Sequence, residues 1–190
     1  MGGTRRQVPN DPLRRQRILD GALDAVAEHG VHRTTHRRIA ACAEVPLGSL
    51  TYYFDGLDDI LEQAFARLAD GMSRNYRAAL GEATTTSEAC AAVVDLICGP
   101  EYATARRMTL IFEMYSYANH NRAVAETART WLDRSQDSLA LHFPPHVCAA
   151  LDALVEGWPM HQTFRRAPLN RALVHATITA IAAMAPPEAT

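Results

Sequence analysis

Lysine is absent from all 190 residues, so each of the 19 basic side chains is arginine, a residue suited to phosphate and guanine contacts. Cysteine is scarce as well. Cys42, Cys90, Cys98 and Cys148 form no CxxC and have no histidine at finger spacing, which excludes a zinc finger and a disulfide framework and leaves reduced, small apolar residues. The eight histidines are scattered with no HExxH pair, so no metal site is predicted. No G-x-S-x-G and no paired-carboxylate spacing occurs, so no catalytic residue is assigned and no cofactor is expected. No apolar run approaches the roughly 20 residues needed to cross a bilayer, which argues against a membrane partner. The opening MGGTRRQVPN lacks an apolar segment of signal-peptide length, and residues 1–10 read as a flexible arm of a cytoplasmic protein. Period-two alternation, internal repeats and low-complexity segments are also missing. An all-α fold is predicted.

What is present concentrates between Thr34 and Leu61, in TTHRRIAACAEVPLGSLTYYFDGLDDIL. Two short helical patterns flank a break at residues 44–46, the layout of a helix-turn-helix. The first, residues 35–43, opens on Thr34 and Thr35, either of which can cap free N–H groups or bond a phosphate, beside His36, Arg37 and Arg38. Pro46 suits the first turn of the second helix, where its missing N–H has no acceptor to lose. At 100° per residue, Leu47, Leu50 and Phe54 fall on one side of that helix, and Gly48, Ser49, Tyr52 and Tyr53 on the other. Small and hydroxyl-bearing residues let a backbone approach a major groove and leave donors for base edges. Upstream, Ile18, Leu19, Ala22, Leu23 and Val26 form an amphipathic helix opened by Asp11-Pro12 and stopped at Gly30.

The combined spacing of Gly30, Thr34, Thr35, Ile39, Ala40, Val45, Gly48, Leu50, Tyr53, Phe54 and Leu61 resembles the N-terminal domain of the TetR/AcrR family of transcriptional regulators. The resemblance covers about a third of the chain. Thr51 stands where that family most often has Tyr, shifting the expected contact to Tyr52, and Leu57 stands where a phosphate-binding Lys is common. It implies a three-helix DNA-binding domain over residues 11–56, with Thr34, Thr35, His36, Arg37, Arg38, Pro46, Leu47, Gly48, Ser49, Thr51, Tyr52 and Tyr53 at the DNA.

The net charge of −2 does not oppose this reading, because residues 1–47 carry eight arginines against five acidic residues, a local surplus of three. From Leu57 onward, Leu61, Ala64, Phe65, Leu68, Met72 and Tyr76 recur at three and four. They predict a connector helix over 57–80, roughly 35 Å long at 1.5 Å per residue. Residues 57–190 then read as a helical domain, with helices near 87–98, 104–118, 122–143, 146–164 and 169–184 separated by turn residues, about nine helices in all.

Two regions of that domain invite a functional reading. Met108, Phe112, Tyr115 and Trp131, with Met72 and Tyr76 on the connector and Trp158 and His161 near the end, offer as a set aromatic walls and methionine sulfurs for an apolar or aromatic small molecule, while core packing is the default reading for each residue singly. In the TetR-like family an inducer pocket lies among the corresponding helices. Leu151, Leu154, Val155 and Trp158, with Val174, Thr177, Ile178 and Ile181, form stripes on the last two helices. The resemblance makes these a homodimer interface; the alternative is a face buried within the chain. The expected protein is a ligand-responsive repressor of a palindromic double-stranded DNA operator. An activator, a helical interaction module with lost DNA binding and an enzyme are the alternatives.

Overall fold

The computed structural model describes residues 12–100 and 103–185. Among them are nine α-helices, a short 3₁₀ turn and no strand. The chain divides into two units between Ala64 and Phe65, inside the fourth helix.

In the first unit, α1 (Arg14–His29) buries Ile18, Leu19, Ala22, Leu23, Ala25 and Val26, the predicted stripe. It starts later than its sequence suggests. Pro12 lies in a turn, Leu13 occupies the N-cap without a side-chain cap, and Asp11 is outside the described residues. Gly30 ends the helix at φ 75°, where an L side chain is strained, and donates its N–H to the Val26 carbonyl at 2.8 Å. After the 3₁₀ turn Val31–Arg33, the Thr35 hydroxyl caps α2 (His36–Cys42) by accepting the Arg38 N–H at 3.4 Å. Glu44 makes the next turn at φ 52°, a conformation that costs a non-glycine residue roughly 1–2 kcal/mol. Helix α3 (Gly48–Tyr53) follows, with Leu47 as its N-cap. Pro46 therefore precedes the helix instead of sitting in its first turn, and its carbonyl accepts the Ser49 N–H at 2.8 Å.

Helix α4 (Leu57–Gly81) runs 25 residues, as the stripe predicts. Asp58 and Asp59 sit in its first turn, where acidic groups favour the positive helix end, and the Asp59 carboxylate accepts the Asp55 N–H at 2.9 Å.

The second unit continues with α5 (Thr86–Cys98), α6 (Ala105–Ala118), α7 (Arg122–Leu139), α8 (Pro145–Phe164) and α9 (Arg171–Ala182). Four of the five have polar N-caps, Thr85, Thr104, Asn121 and Asn170, each accepting an N–H of its own first turn. Helix α7 ends at Leu139 instead of 143. The Phe143 N–H still reaches the Leu139 carbonyl at 3.1 Å, but the chain turns there and carries Phe143 into the core ahead of Pro144. One cluster from α4, α5, α7, α8 and α9, including Leu80, Val93, Ile97, Leu151, Val174 and Ile178, forms that core. Among the described residues no helix is long and apolar enough to cross a membrane.

Candidate functional site

The first surface of interest is the outer face of α3. Leu50 and Phe54 are buried and hold the helix from behind, leaving Gly48, Thr51 and Tyr52 exposed and Ser49 and Tyr53 half-buried. Tyr52 is 81% exposed, and its ring meets that of Tyr53 edge-on at 4.8 Å. The Thr51 hydroxyl donates to the Gly48 carbonyl at 3.2 Å. Leu47 departs from the expected packing side. As the N-cap it precedes the helical register, and it is 46% exposed.

On α2, Thr35 and Arg37 are exposed, and His36 and Arg38 are half-buried. The Arg38 guanidinium donates to the Arg33 carbonyl and so steadies the 3₁₀ turn. Thr34 does not reach the outer face. It is 3% exposed, and its hydroxyl donates to the Gly30 carbonyl at 2.8 Å, which satisfies an acceptor at the end of α1. Behind this face Arg15 lies over the Phe54 ring, 5.3 Å from its centroid, and donates to Gln63, whose amide donates to Asp59 at 2.5 Å. Sequence spacing gives no sign of this strap, because its members stand far apart in the chain.

The second site is a small cavity in the second unit, about 10 Å³, lined by Met108, Ile111, Trp131, Val155, Glu156, Pro159 and Met160. Beside it Tyr115 packs against Trp131, ring centroids 6.0 Å apart, and donates its hydroxyl to Oε2 of Glu156 at 2.5 Å. Burial pushes the Glu156 carboxyl above its ordinary range, the Tyr115 hydrogen bond opposes the shift, and the Asp152 charge adds to it. One turn earlier, Asp152 is raised by burial too, against hydrogen bonds from Ser135 and Gln136. Pro159 sits inside α8, where it cannot donate to the Val155 carbonyl.

Of the ligand candidates, Met108 and Trp131 line this cavity and Tyr115 packs against Trp131 beside it. The other ligand candidates do not join them. Tyr76 belongs to the core cluster and Trp158 packs on it; Met72 is buried without lining the cavity. Phe112 faces Phe164 at 5.7 Å, and His161 is exposed. Sequence reasoning misses Glu156 and Asp152. Their spacing of four on α8, adjoining the apolar Leu151 and Val155, is the signal that marks them. A wider cleft of about 820 Å³ opens along α4 and α5, but alanines and charged groups line it, including the Arg171–Asp95 ion pair, and no described lining residue is aromatic. Volume alone therefore does not select the aromatic site.

The stripes expected at a dimer interface are mostly internal. Leu151, Val155, Val174 and Ile178 are buried in the unit's own core, and Leu154, Trp158 and Ile181 are half-buried against it. Thr177 is half-buried, its hydroxyl on the Leu173 carbonyl at 2.9 Å. The outward face of α9 instead carries Leu173, 58% exposed, with Ala176 and Ala180 at spacings of three and four. A helix in a two-layer packing uses its most apolar stripe inward first. The four cysteines are free, and burial raises all four thiols, which makes them poor nucleophiles.

Comparison with known proteins places this architecture. The family model for bacterial regulatory proteins of the tetR family matches residues 18–64. The HTH-type transcriptional regulator BetI 2 of Chromohalobacter salexigens is 33% identical over 67 residues, 35% of this chain and 32% of the relative, so the match spans about a third of that curated protein. SCO7518 from Streptomyces coelicolor A3(2), known from a crystal structure, is 40% identical, covering 91% of this chain and 100% of its own, with a TM-score of 0.82. The multidrug binding protein EbrR, solved with imidazole, is 29% identical over 94% of this chain and 99% of its own, with a TM-score of 0.71. With the family pattern seated on α1 to α4 and the fold shared along the whole length of a relative 40% identical, the chain belongs to the TetR family of bacterial transcriptional regulators.

Proposed function

We propose that this protein is a homodimeric repressor that binds a palindromic operator through α3 and leaves it when an aromatic small molecule occupies the cavity beside Trp131. The observation that carries the DNA-binding half is the pairing of an exposed Gly48, Thr51 and Tyr52 with a buried Leu50 and Phe54. A short helix fixed from behind can enter a major groove without rearranging. Tyr52 and Ser49 contact base edges or phosphates, the exposed Leu47 meets a thymine methyl, and Thr35 and Arg37 position the domain through the backbone. One such helix reads only a few base pairs, so two copies are required. The outward face of α9 around Leu173, Ala176 and Ala180 supplies the contact between them.

The effector half rests on Met108, Trp131 and Met160 around a cavity with room for about one water. Filling it displaces soft methionine walls, and the movement is transmitted through packed helices to α4. EbrR, a neighbour of the same fold, has been solved with malachite green, ethidium and proflavin, all aromatic. A coupling of about 1–3 kcal/mol would lower operator affinity roughly 5- to 150-fold. A gel shift on the DNA flanking this gene, with and without ligand, tests the proposal; no shift at low salt would refute it.

A further inference from the structure

Ser73 of α4 is only 8% exposed, and its buried hydroxyl has no hydrogen-bond partner among the described residues. A helical serine commonly settles its hydroxyl on the carbonyl four residues back, as Ser138 does on that of Arg134 at 2.7 Å. Left unmade, the bond costs the desolvation of the group. Both serines line an open groove of about 390 Å³ between α4 and α7. Its other walls are charged: Arg74, Arg77 and Arg134 stand against Asp70 and Asp137, three positive groups to two negative and a surplus of one. Asp70 is taken up by an ion pair with Arg134, and Asp137 meets Arg77 through its backbone carbonyl, at 3.5 Å. Arg74, one turn after Asp70, is exposed and joins no ion pair among the described residues. The orphan hydroxyl and the spare guanidinium N–H groups are all donors, so the species that answers both is an anion rich in acceptors.

We propose that this groove is a second ligand site, which takes the phosphate group of a small phosphorylated molecule between Arg74 and Arg77, with Ser73 as the donor on its floor. A tetrahedral phosphate presents oxygens to several donors at once, whereas a planar carboxylate is matched by one guanidinium fork. Ser73 turns to it by a change of χ1 rotamer. The adjoining stretch of the groove, about 430 Å³, shares Asp70 and Arg134 and runs on past Ala69, Thr127 and Thr130, which gives room to the organic part. The anion also competes with Asp70 for Arg134, and binding therefore loosens a clasp between α7 and α4. No described lining residue is common to this groove and the cavity beside Trp131, so neither site's failure touches the other.

Isothermal titration of the full chain with inorganic phosphate, at an ionic strength held constant with sodium chloride, tests the site. Saturable binding is expected, with acetate at least about tenfold weaker. Arg77→Gln should weaken phosphate by about tenfold, and Ser73→Ala should weaken it to a smaller degree. Asp70→Asn, which frees Arg134, should tighten it, a change of sign that damage to the fold does not produce. Arg37→Gln, on the face assigned to DNA, should leave it unaltered. Heats of dilution alone, or acetate binding as tightly as phosphate, would overturn the proposal without any variant. Phosphate binding that survives Arg77→Gln and Ser73→Ala but is lost in Arg37→Gln would place the anion on the DNA face and overturn it as well.

Discussion

Gly21 of α1 and Ala43 at the end of α2 stand so close that a Cβ on Gly21 would lie 2.6 Å from the Ala43 backbone nitrogen and 2.8 Å from its Cβ. No real Cβ tolerates that approach, and the nearest obstacle is backbone, which cannot swing aside. Gly21→Ala must push α2 off α1 and tilt α3 with it. Overpacking of this kind costs about 1–3 kcal/mol. Urea unfolding of the variant should show that loss, and operator binding should weaken even where the protein remains folded. An unchanged midpoint would mean the two helices part more easily than their packing indicates.

Two changes on α3 should separate stability from recognition. Tyr52→Ala removes a ring that is 81% exposed, so melting should barely move while DNA affinity falls. Leu50→Ala empties a fully buried position and should cost about 2–5 kcal/mol. If Tyr52→Ala left binding in a gel shift unaltered, the face assigned to DNA would be wrong.

Salt offers an independent measure of the same contacts. Arginine–phosphate pairs release counterions, so the logarithm of the binding constant should fall linearly with the logarithm of salt concentration. Arg37→Gln is expected to lower the slope by about one. A flat salt dependence for the unmodified protein would argue against backbone contacts.

Adjacent residues on α9 should behave in opposite ways. Leu173 points outward, so Leu173→Glu is expected to give folded monomers in light scattering; Val174 is fully buried, so Val174→Glu should unfold the second unit. A dimer that survives Leu173→Glu would place the interface elsewhere.

The raised carboxyls of Glu156 and Asp152 set the direction of a pH effect. Both hold their protons more tightly when folded, so their favourable contribution is complete below the ordinary values of 4.5 and 3.8 and is lost as pH rises through the higher folded ones. Glu156→Gln should therefore be more stable than the unmodified protein at neutral pH, with the difference vanishing in acid. Thermal melts between about pH 4 and 8 would show the two curves converging at the acid end. Curves that stay parallel would mean that Glu156 is ionised without penalty.

Much of this molecule is legible in its amino-acid order. Spacings of three and four set the nine helices, Gly30 stops the first, Thr35 caps the second, and the Gly48 to Phe54 register faces Leu50 inward and Tyr52 outward. These are local properties, governed by backbone geometry and by which face of a single helix is apolar, and the sequence contains them by itself. The tertiary structure decides which neighbour covers each face. It turns Thr34 inward to the Gly30 carbonyl, takes Leu151, Val155, Val174 and Ile178 into the core and leaves Leu173 outside, and closes Met108, Trp131 and Met160 around Glu156. Helical periodicity specifies a stripe but not its partner, because burial depends on residues distant in the chain that no spacing rule can see.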